Sequence, residues 1–174
     1  MPLWRCRKSK PLVWRKVEVP SSLMLSGLHT LIQDTMGWSD SHLHGFRTKD
    51  RSFEEGEEFE TTVGDLLQKV GDRLTYEYDF GDSWVHKIEV LKVGETIPDD
   101  HAIHVLGGKN ACPPEDICGP WIYSRMVELW LSGDKKRMKS EFAERAERLL
   151  DEDFDPTWFD REEVQEYVED MFGE

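Results

Sequence analysis

A single α+β domain is the fold this sequence predicts, and three observations predict it. Apolar and polar residues alternate at Leu12–Val19 and on both arms of Tyr76–His86, helical periodicity takes over after Trp121, and the two patterns never repeat as regular βαβ units. The expected architecture is a mainly antiparallel or mixed sheet with helices packed on it and a C-terminal helical layer. It spans residues 1–174, with 151–174 as an acidic helical appendage. A chain of 174 residues can bury one sizeable core without disulfide or metal staples.

In chain order, Val13, Arg15, Val17 and Val19 alternate with Trp14, Lys16 and Glu18 up to Pro20, which predicts a first strand. Ser21 or Ser22 then serves as N-cap of a helix whose Leu25, Leu28, Ile32 and Met36 share one face and which Gly37 ends. His42–Phe46 reads as a second strand, and Lys49–Glu60 is too polar for a core element. Thr62 and Asp65 approximate a capping box for a short helix that buries Leu66, Leu67 and Val70 and stops at Gly71. The Tyr76–His86 hairpin follows. Ala102–Leu106 adds a short strand before Gly107-Gly108, and Pro113-Pro114 enforces a loop. Trp121–Leu131, Lys135–Leu150 and a last helix capped by Asp160 and carrying Val164, Val168 and Met171 complete the chain. No repeat of about 20 to 50 residues is visible, which excludes a solenoid.

The net charge of -14 is unevenly spread. Met1–Val17 carries six Lys or Arg and no acid, whereas Asp151–Glu174 carries eleven acids against Arg161. Such a balance excludes a large duplex-binding surface and leaves nucleic acid only the basic N-terminal arm, itself expected to be a solvated terminus. Cys6, Cys112 and Cys118 are too few and too irregular for a disulfide framework. With neither a secretory signal nor a membrane-length apolar run, a soluble cytoplasmic protein is expected.

Tyr76–His86 holds four aromatics, two aspartates and a histidine around Gly81, which makes it the place to look for chemistry. A two-residue Gly81-Asp82 turn pairs Glu77 with His86 and sets carboxylates beside the imidazole. A three-residue loop of Gly81, Asp82 and Ser83 instead pairs Phe80 with Trp84, Tyr78 with His86 and Tyr76 with Ile88. That register gathers Leu74, Tyr76, Tyr78, Phe80, Trp84, Ile88 and Val90 on one face, so burial favours it, since each misplaced aromatic forfeits about 1.5 kcal/mol or more. His86 becomes a polar group on an aromatic face, read either as a core histidine or as a ligand-binding imidazole. Asp79 and Asp82 read first as turn-formers.

His42 and His44, two apart on the expected strand, face the same way as metal ligands would. The five residues between Cys112 and Cys118 exceed the spacing of a zinc knuckle. Glu115 and Asp116, in the loop after the prolines, can join His86, His42 or His44 around a divalent ion if the fold brings them together. No nucleophile elbow, phosphate loop, dinucleotide fingerprint or zincin helix occurs.

Taken together, Pro11-Leu12-Val13-Trp14-Arg15, Met36-Gly37-Trp38, His42-Leu43-His44-Gly45-Phe46, Tyr78-Asp79-Phe80-Gly81-Asp82-Ser83-Trp84-Val85-His86 and Cys112-Pro113-Pro114-Glu115-Asp116 resemble one family, the plasmid pRiA4b ORF-3-like proteins. The resemblance spans most of the chain. It implies a compact α+β domain and a plasmid or mobile-element setting, and it brings no established activity. Ile117-Cys118-Gly119 departs from the glycine pair usual in the family after the Glu-Asp pair.

Two functions compete. In the first, the chain is a binding module for a small molecule or a protein, with an aromatic-lined pocket beside the hairpin and ligand contacts from His86, Asp82, Trp84, Tyr78, Glu115 and Asp116. In the second, it is a metal-dependent hydrolase or nuclease-like enzyme in which His42, His44 or His86, with Asp82 and Glu115, hold a divalent metal that activates water. The residues do not single out a catalytic group.

Overall fold

Strands β1 (Pro2–Cys6), β2 (Trp14–Glu18), β3 (His44–Arg47), β4 (Arg73–Tyr78), β5 (Trp84–Val90) and β6 (His104–Lys109) form one sheet in the order β3-β4-β5-β1-β2-β6, with every neighbouring pair antiparallel. The helices are α1 (Leu25–Met36), α2 (Val63–Leu66), α3 (Gly119–Leu131), α4 (Lys135–Phe142), α5 (Glu144–Leu150) and α6 (Arg161–Phe172). This computed structural model describes residues 2–6, 9–53, 56–94, 103–150 and 154–173. Outside them lie Met1, Arg7 and Lys8 of the basic arm, Glu54 and Glu55 of the polar stretch, Ala102 at the start of an expected strand, and Asp151, Glu152, Asp153 and Glu174 of the acidic tail. The predicted α+β class with a mainly antiparallel sheet holds. Among the described residues no helix is long and apolar enough to cross a membrane.

One face of the sheet is apolar because alternation puts Val13, Arg15 and Val17, then Leu74, Tyr76 and Tyr78, then Trp84, His86, Ile88 and Val90 on the same side, all buried. The other face is polar and carries cross-strand ion pairs between Arg73 and Glu89 and between Arg47 and Glu77, both at 3.3 Å. Helix α1 packs on the inner face through Leu25, Leu28, Ile32 and Met36, the positions its sequence predicted, and also through Leu31. Helix α6 closes the far end, against β6 and α1.

Several expectations need correction. The N-terminal segment is not a free arm: Pro2–Cys6 is a central strand, paired with β5 on one side and β2 on the other, with Leu3 and Cys6 buried. Its basic residues disguised it, because strand pairing uses the backbone whatever the side chains carry. Arg15 points into the core. The hairpin takes neither anticipated register. Tyr78 pairs with Trp84, Tyr76 with His86 and Glu77 with Val85, so the connection Asp79–Ser83 has five residues. The shift of two positions from the favoured register keeps the aromatic face intact and loses only Phe80, which is 56% exposed and lies over Gly45. Asp79 causes the longer loop: at φ 53° its Oδ1 accepts from the amides of Gly81 (2.9 Å) and Asp82 (3.2 Å), an Asx turn.

Helix α1 starts at Leu25, without a serine cap; the Leu25 amide donates instead to Thr61 O at 2.9 Å across a bridge to the segment before α2. The Thr62–Asp65 capping box forms as read. The expected helix 135–150 is broken at Ala143, whose φ of 47° is left-handed.

His86 is fully buried. Its Nδ1 lies 3.1 Å from Trp84 O, and a carbonyl only accepts, so Nδ1 carries the proton and Nε2 is a bare lone pair without a partner. Burial, with the charge of Arg15 adding in the same direction, lowers its pKa from 6.5 to about 4. The unfolded state therefore binds the proton first on acidification. Stability from the neutral imidazole is complete above pH 6.5 and is lost as pH falls from there toward 4. Replacing His86 by Leu should remove this dependence. Urea denaturation is expected to show the native protein losing about 2 kcal/mol more than His86→Leu between about pH 7 and pH 5. Deleting residues 2–6 takes the middle out of the sheet; loss of the cooperative unfolding transition in circular dichroism is expected, and a truncated chain melting like the full one would contradict the central placement.

Candidate functional site

The segment between α1 and β3, the β4–β5 turn and the loop before α3 meet at one end of the sheet. Trp38 begins the junction: its indole donates to Pro113 O at 2.9 Å and stacks on Tyr78 with centroids 4.8 Å apart. The Tyr78 hydroxyl donates to Glu115 Oε1 at 2.5 Å and accepts from the Ser41 amide at 3.0 Å. Glu115 Oε2 accepts from the Ser39 hydroxyl (2.6 Å) and amide (3.2 Å). Burial and the Glu115 carboxylate push the Tyr78 hydroxyl well above its usual range, so it remains a donor. Both oxygens of Glu115 are thus engaged by the protein, and Glu115 acts as a clamp that brings the Pro113–Asp116 loop onto the hairpin.

That clamp delivers Asp116 to His42. The ligand atoms of His42, Asp79 and Asp116 all lie within 4.8 Å of one another. His42 Nε2 is 3.1 Å from Asp116 Oδ1 and 3.9 Å from Asp79 Oδ2, yet it is buried and in hydrogen-bond geometry with neither. Asp79 spends its other oxygen on the turn. Asp82, next in the loop, has a buried Oδ2 without a partner. Burial first, then the charges of Asp79 and Asp116, raise its pKa against the pull of the Gly119 and Cys118 amides at the start of α3. Gly119 is required here: at φ 82° any Cβ would stand 2.5 Å from Asp82 O. Arg148 offsets part of the negative charge, with Nη2 3.6 Å from Asp116 Oδ2. Two carboxylates and an imidazole nitrogen without a hydrogen-bond partner converge, with Asp82 near enough to feel both charges, on a side left open by the 56% exposed side chain of Asp116.

A second group lies nearby on the chain. His44 and His29 stack with centroids 3.6 Å apart and planes 7° from parallel. His29 Nε2 is 3.0 Å from Asp40, and His44 Nε2 is 2.8 Å from Glu58. Hydrogen-bond logic fixes the His29 proton. Gln33 Oε1 accepts from the Asp40 amide (3.2 Å), so Gln33 Nε2 donates to the Tyr76 hydroxyl (2.8 Å), whose own hydrogen goes to His29 Nδ1 (2.8 Å). The proton of neutral His29 therefore sits on Nε2, facing Asp40. Burial lowers the His29 pKa, with His44 adding to the effect, which keeps the ring neutral. Although His29, Asp40 and His44 also have ligand atoms within 4.8 Å, this group is a saturated network.

Of the residues singled out from sequence, His42, Asp82, Asp116, Tyr78 and Glu115 come together, and His44 joins the neighbouring network. His86 and Trp84 do not take part: both are sealed in the core, His86 belongs to neither convergent ligand group, and neither residue lines either of the two main clefts. None of the three cysteines is in a disulfide, and none joins a group of convergent ligand atoms among the described residues, so the Cys112–Cys118 zinc spacing leads nowhere. Sequence reading missed His29, Asp40, Glu58 and the outward oxygen of Asp79. A signal for the first existed: His29 and Gln33, four apart, flank the apolar stripe of α1, polar residues where the helix meets the sheet.

Residues 5–163 match the family described as plasmid pRiA4b ORF-3-like protein. The chain is 31% identical over 172 residues to the uncharacterized protein y4hQ of Sinorhizobium fredii, covering 93% of this chain and 86% of that one. The crystal structure of MM3350, a protein of unknown function from Methanosarcina mazei Go1, superposes with a TM-score of 0.75 at 29% identity over 94% of this chain and 95% of the other. The Cys-Pro-Pro-Glu-Asp loop clamped onto the Asp-Phe-Gly-Asp-Ser-Trp hairpin sits within the matched span, and the chain belongs to the plasmid pRiA4b ORF-3-like family.

Proposed function

We propose that this protein is a binding module whose ligand at the hairpin is a divalent metal ion, held by His42, Asp79 and Asp116 with Asp82 beside them. The observation that carries the reading is the buried, unpartnered Nε2 of His42 facing two carboxylate oxygens. With its proton on Nδ1, the ring would present an unshared pair at Nε2 beside the two carboxylates, which is what a metal takes, and the ion would offset the Asp79 and Asp116 charges that add to burial in raising Asp82. The neighbouring His29 network lacks this property because both nitrogens of His29 and Nε2 of His44 already have partners. One imidazole and two carboxylates suit zinc or manganese better than calcium, which prefers an all-oxygen shell.

A second reading follows from the ligand count. Three protein ligands would leave a bound divalent ion open to water, which it would polarise, and Asp82, whose Oδ2 is buried without a partner in the same loop, would be the carboxyl beside it. Hydrolysis is the reaction class this supports. Three cysteines outside any disulfide suit the reducing cytoplasm as its compartment, and a plasmid or mobile-element setting fits the family.

Chelator-treated protein should take up one equivalent of zinc or manganese in titration calorimetry. His42→Ala and Asp116→Asn should each weaken uptake at least about tenfold, while His44→Ala leaves it unchanged. Unchanged uptake in His42→Ala, or no uptake by the native chain, would refute the site; loss only in His44→Ala would transfer it to the stacked pair.

A further inference from the structure

A cleft of about 680 Å³ opens between the C-terminal end of α1, the turn after β6 and α6. Four aromatic rings line it: Trp38, Trp158, Phe159 and Tyr167. Trp158 and Tyr167 are 58% and 57% exposed and share this one cleft, an apolar patch open to a ligand. Of the charged groups that line the same cleft, Arg15 and Asp34 are buried at their charged ends and make no ion pair among the described residues, and together they define what would fit.

The first is Arg15, only 3% exposed. Its Nε donates to Thr35 O at 2.9 Å, and its Nη1 donates to Trp14 O, Lys109 O and Asn110 O at 3.0, 3.2 and 3.1 Å. The guanidinium lies over Phe159, 4.4 Å from the ring centroid. All four bonds leave from Nε and Nη1 and all end on backbone carbonyls. No carboxylate stands within ion-pair distance among the described residues, although burial of an unpaired charge costs several kcal/mol. Burial lowers its pKa to about 10, so the group stays charged at neutral pH. The second is Asp34, at the last turn of α1, whose Oδ2 is buried without a partner. Glu163 and Asp170 of α6 add negative charge along the same wall.

Charge balance selects the ligand class. A simple anion would satisfy Arg15 but meet the acids of the wall and a chain of net charge -14. A simple cation would satisfy Asp34 and leave Arg15 bare. We propose that the cleft binds a small zwitterion with a flat apolar body, of the aromatic amino-acid class. Its carboxylate meets the free edge of Arg15, its ammonium meets Asp34, and its ring lies among Trp38, Trp158 and Tyr167. This site is separate from the metal ligands and does not depend on them.

The test uses the full chain without added metal, with tryptophan fluorescence and calorimetry as readouts. L-phenylalanine is expected to bind, and L-phenylalaninamide and N-acetyl-L-phenylalanine, each lacking one charge, at least about tenfold more weakly. Asp34→Asn removes an acid that makes no bond in the fold and should leave the melting temperature intact. It should cost about tenfold in affinity for L-phenylalanine and leave that for the N-acetyl compound unchanged. Trp158→Ala should weaken both. No binding of L-phenylalanine at millimolar concentration, equal binding of the three compounds, or an Asp34→Asn variant that binds like the native chain would each overturn the proposal.

Discussion

The pairing of Pro2–Cys6 with both β5 and β2 is the constraint on which the rest of this molecule depends. Strands β3, β4 and β5 form one half of the sheet, and β2 and β6 form a second. Among the described residues, β1 is the strand that hydrogen-bonds the halves into a single surface. Through it, Tyr76 and Tyr78 on one side and Arg15 on the other come to lie beneath the same helix. His29 and Gln33 of α1 bond Tyr76, and the Thr35 carbonyl of the same helix receives Arg15. The inner face is apolar enough to drive assembly, while the few polar groups on it fix where α1 sits along the strands.

Polar groups in this fold divide by whether the chain itself satisfies them. The His29, Tyr76, Gln33 and Asp40 chain closes on itself, donor to acceptor, and the Tyr78, Glu115 and Ser39 clamp does the same. Both position backbone. Around them stand groups that the chain leaves incomplete: His42 Nε2 and Asp82 Oδ2 at the hairpin turn, Asp34 Oδ2 and the unpaired charge of Arg15 at the cleft. A buried polar atom without a partner costs about 1–3 kcal/mol, and fewer still are tolerated when charged. Their concentration in two places is the physical reason to look for ligands there. His86 Nε2 is also unpartnered, but it is enclosed on all sides, and a bare lone pair in an aromatic core costs less than a buried charge.

Trp38 belongs to both places. It stacks on Tyr78, bonds the Pro113 carbonyl and lines the cleft beside α6. Movement of the Pro113–Asp116 loop would therefore be felt on the cleft wall. The positive φ of Asp40, Asp79 and Asp116 belongs to the same economy of space, since these aspartates turn the chain sharply while aiming a carboxylate back at a histidine.

Period and punctuation in the sequence by themselves determined the α1 stripe ending at Gly37, the Thr62–Asp65 box, the Asp160 cap, the aromatic face of the hairpin and the antiparallel α+β class. Each rests on residues close together in the chain, where local sterics and short-range hydrogen bonds decide. The family resemblance was legible for the same reason, as it resides in contiguous runs. Tertiary structure alone decided that basic Pro2–Cys6 is a central strand, that Asp79 rather than Gly81 sets the hairpin loop, and that His42 meets Asp116 while His86 meets nothing. These outcomes depend on strand order, which pairs residues up to 95 positions apart, and on the Glu115 clamp, which spans 76, and no spacing within a segment encodes which of two histidines will lie at the sheet's open end and which beneath a helix.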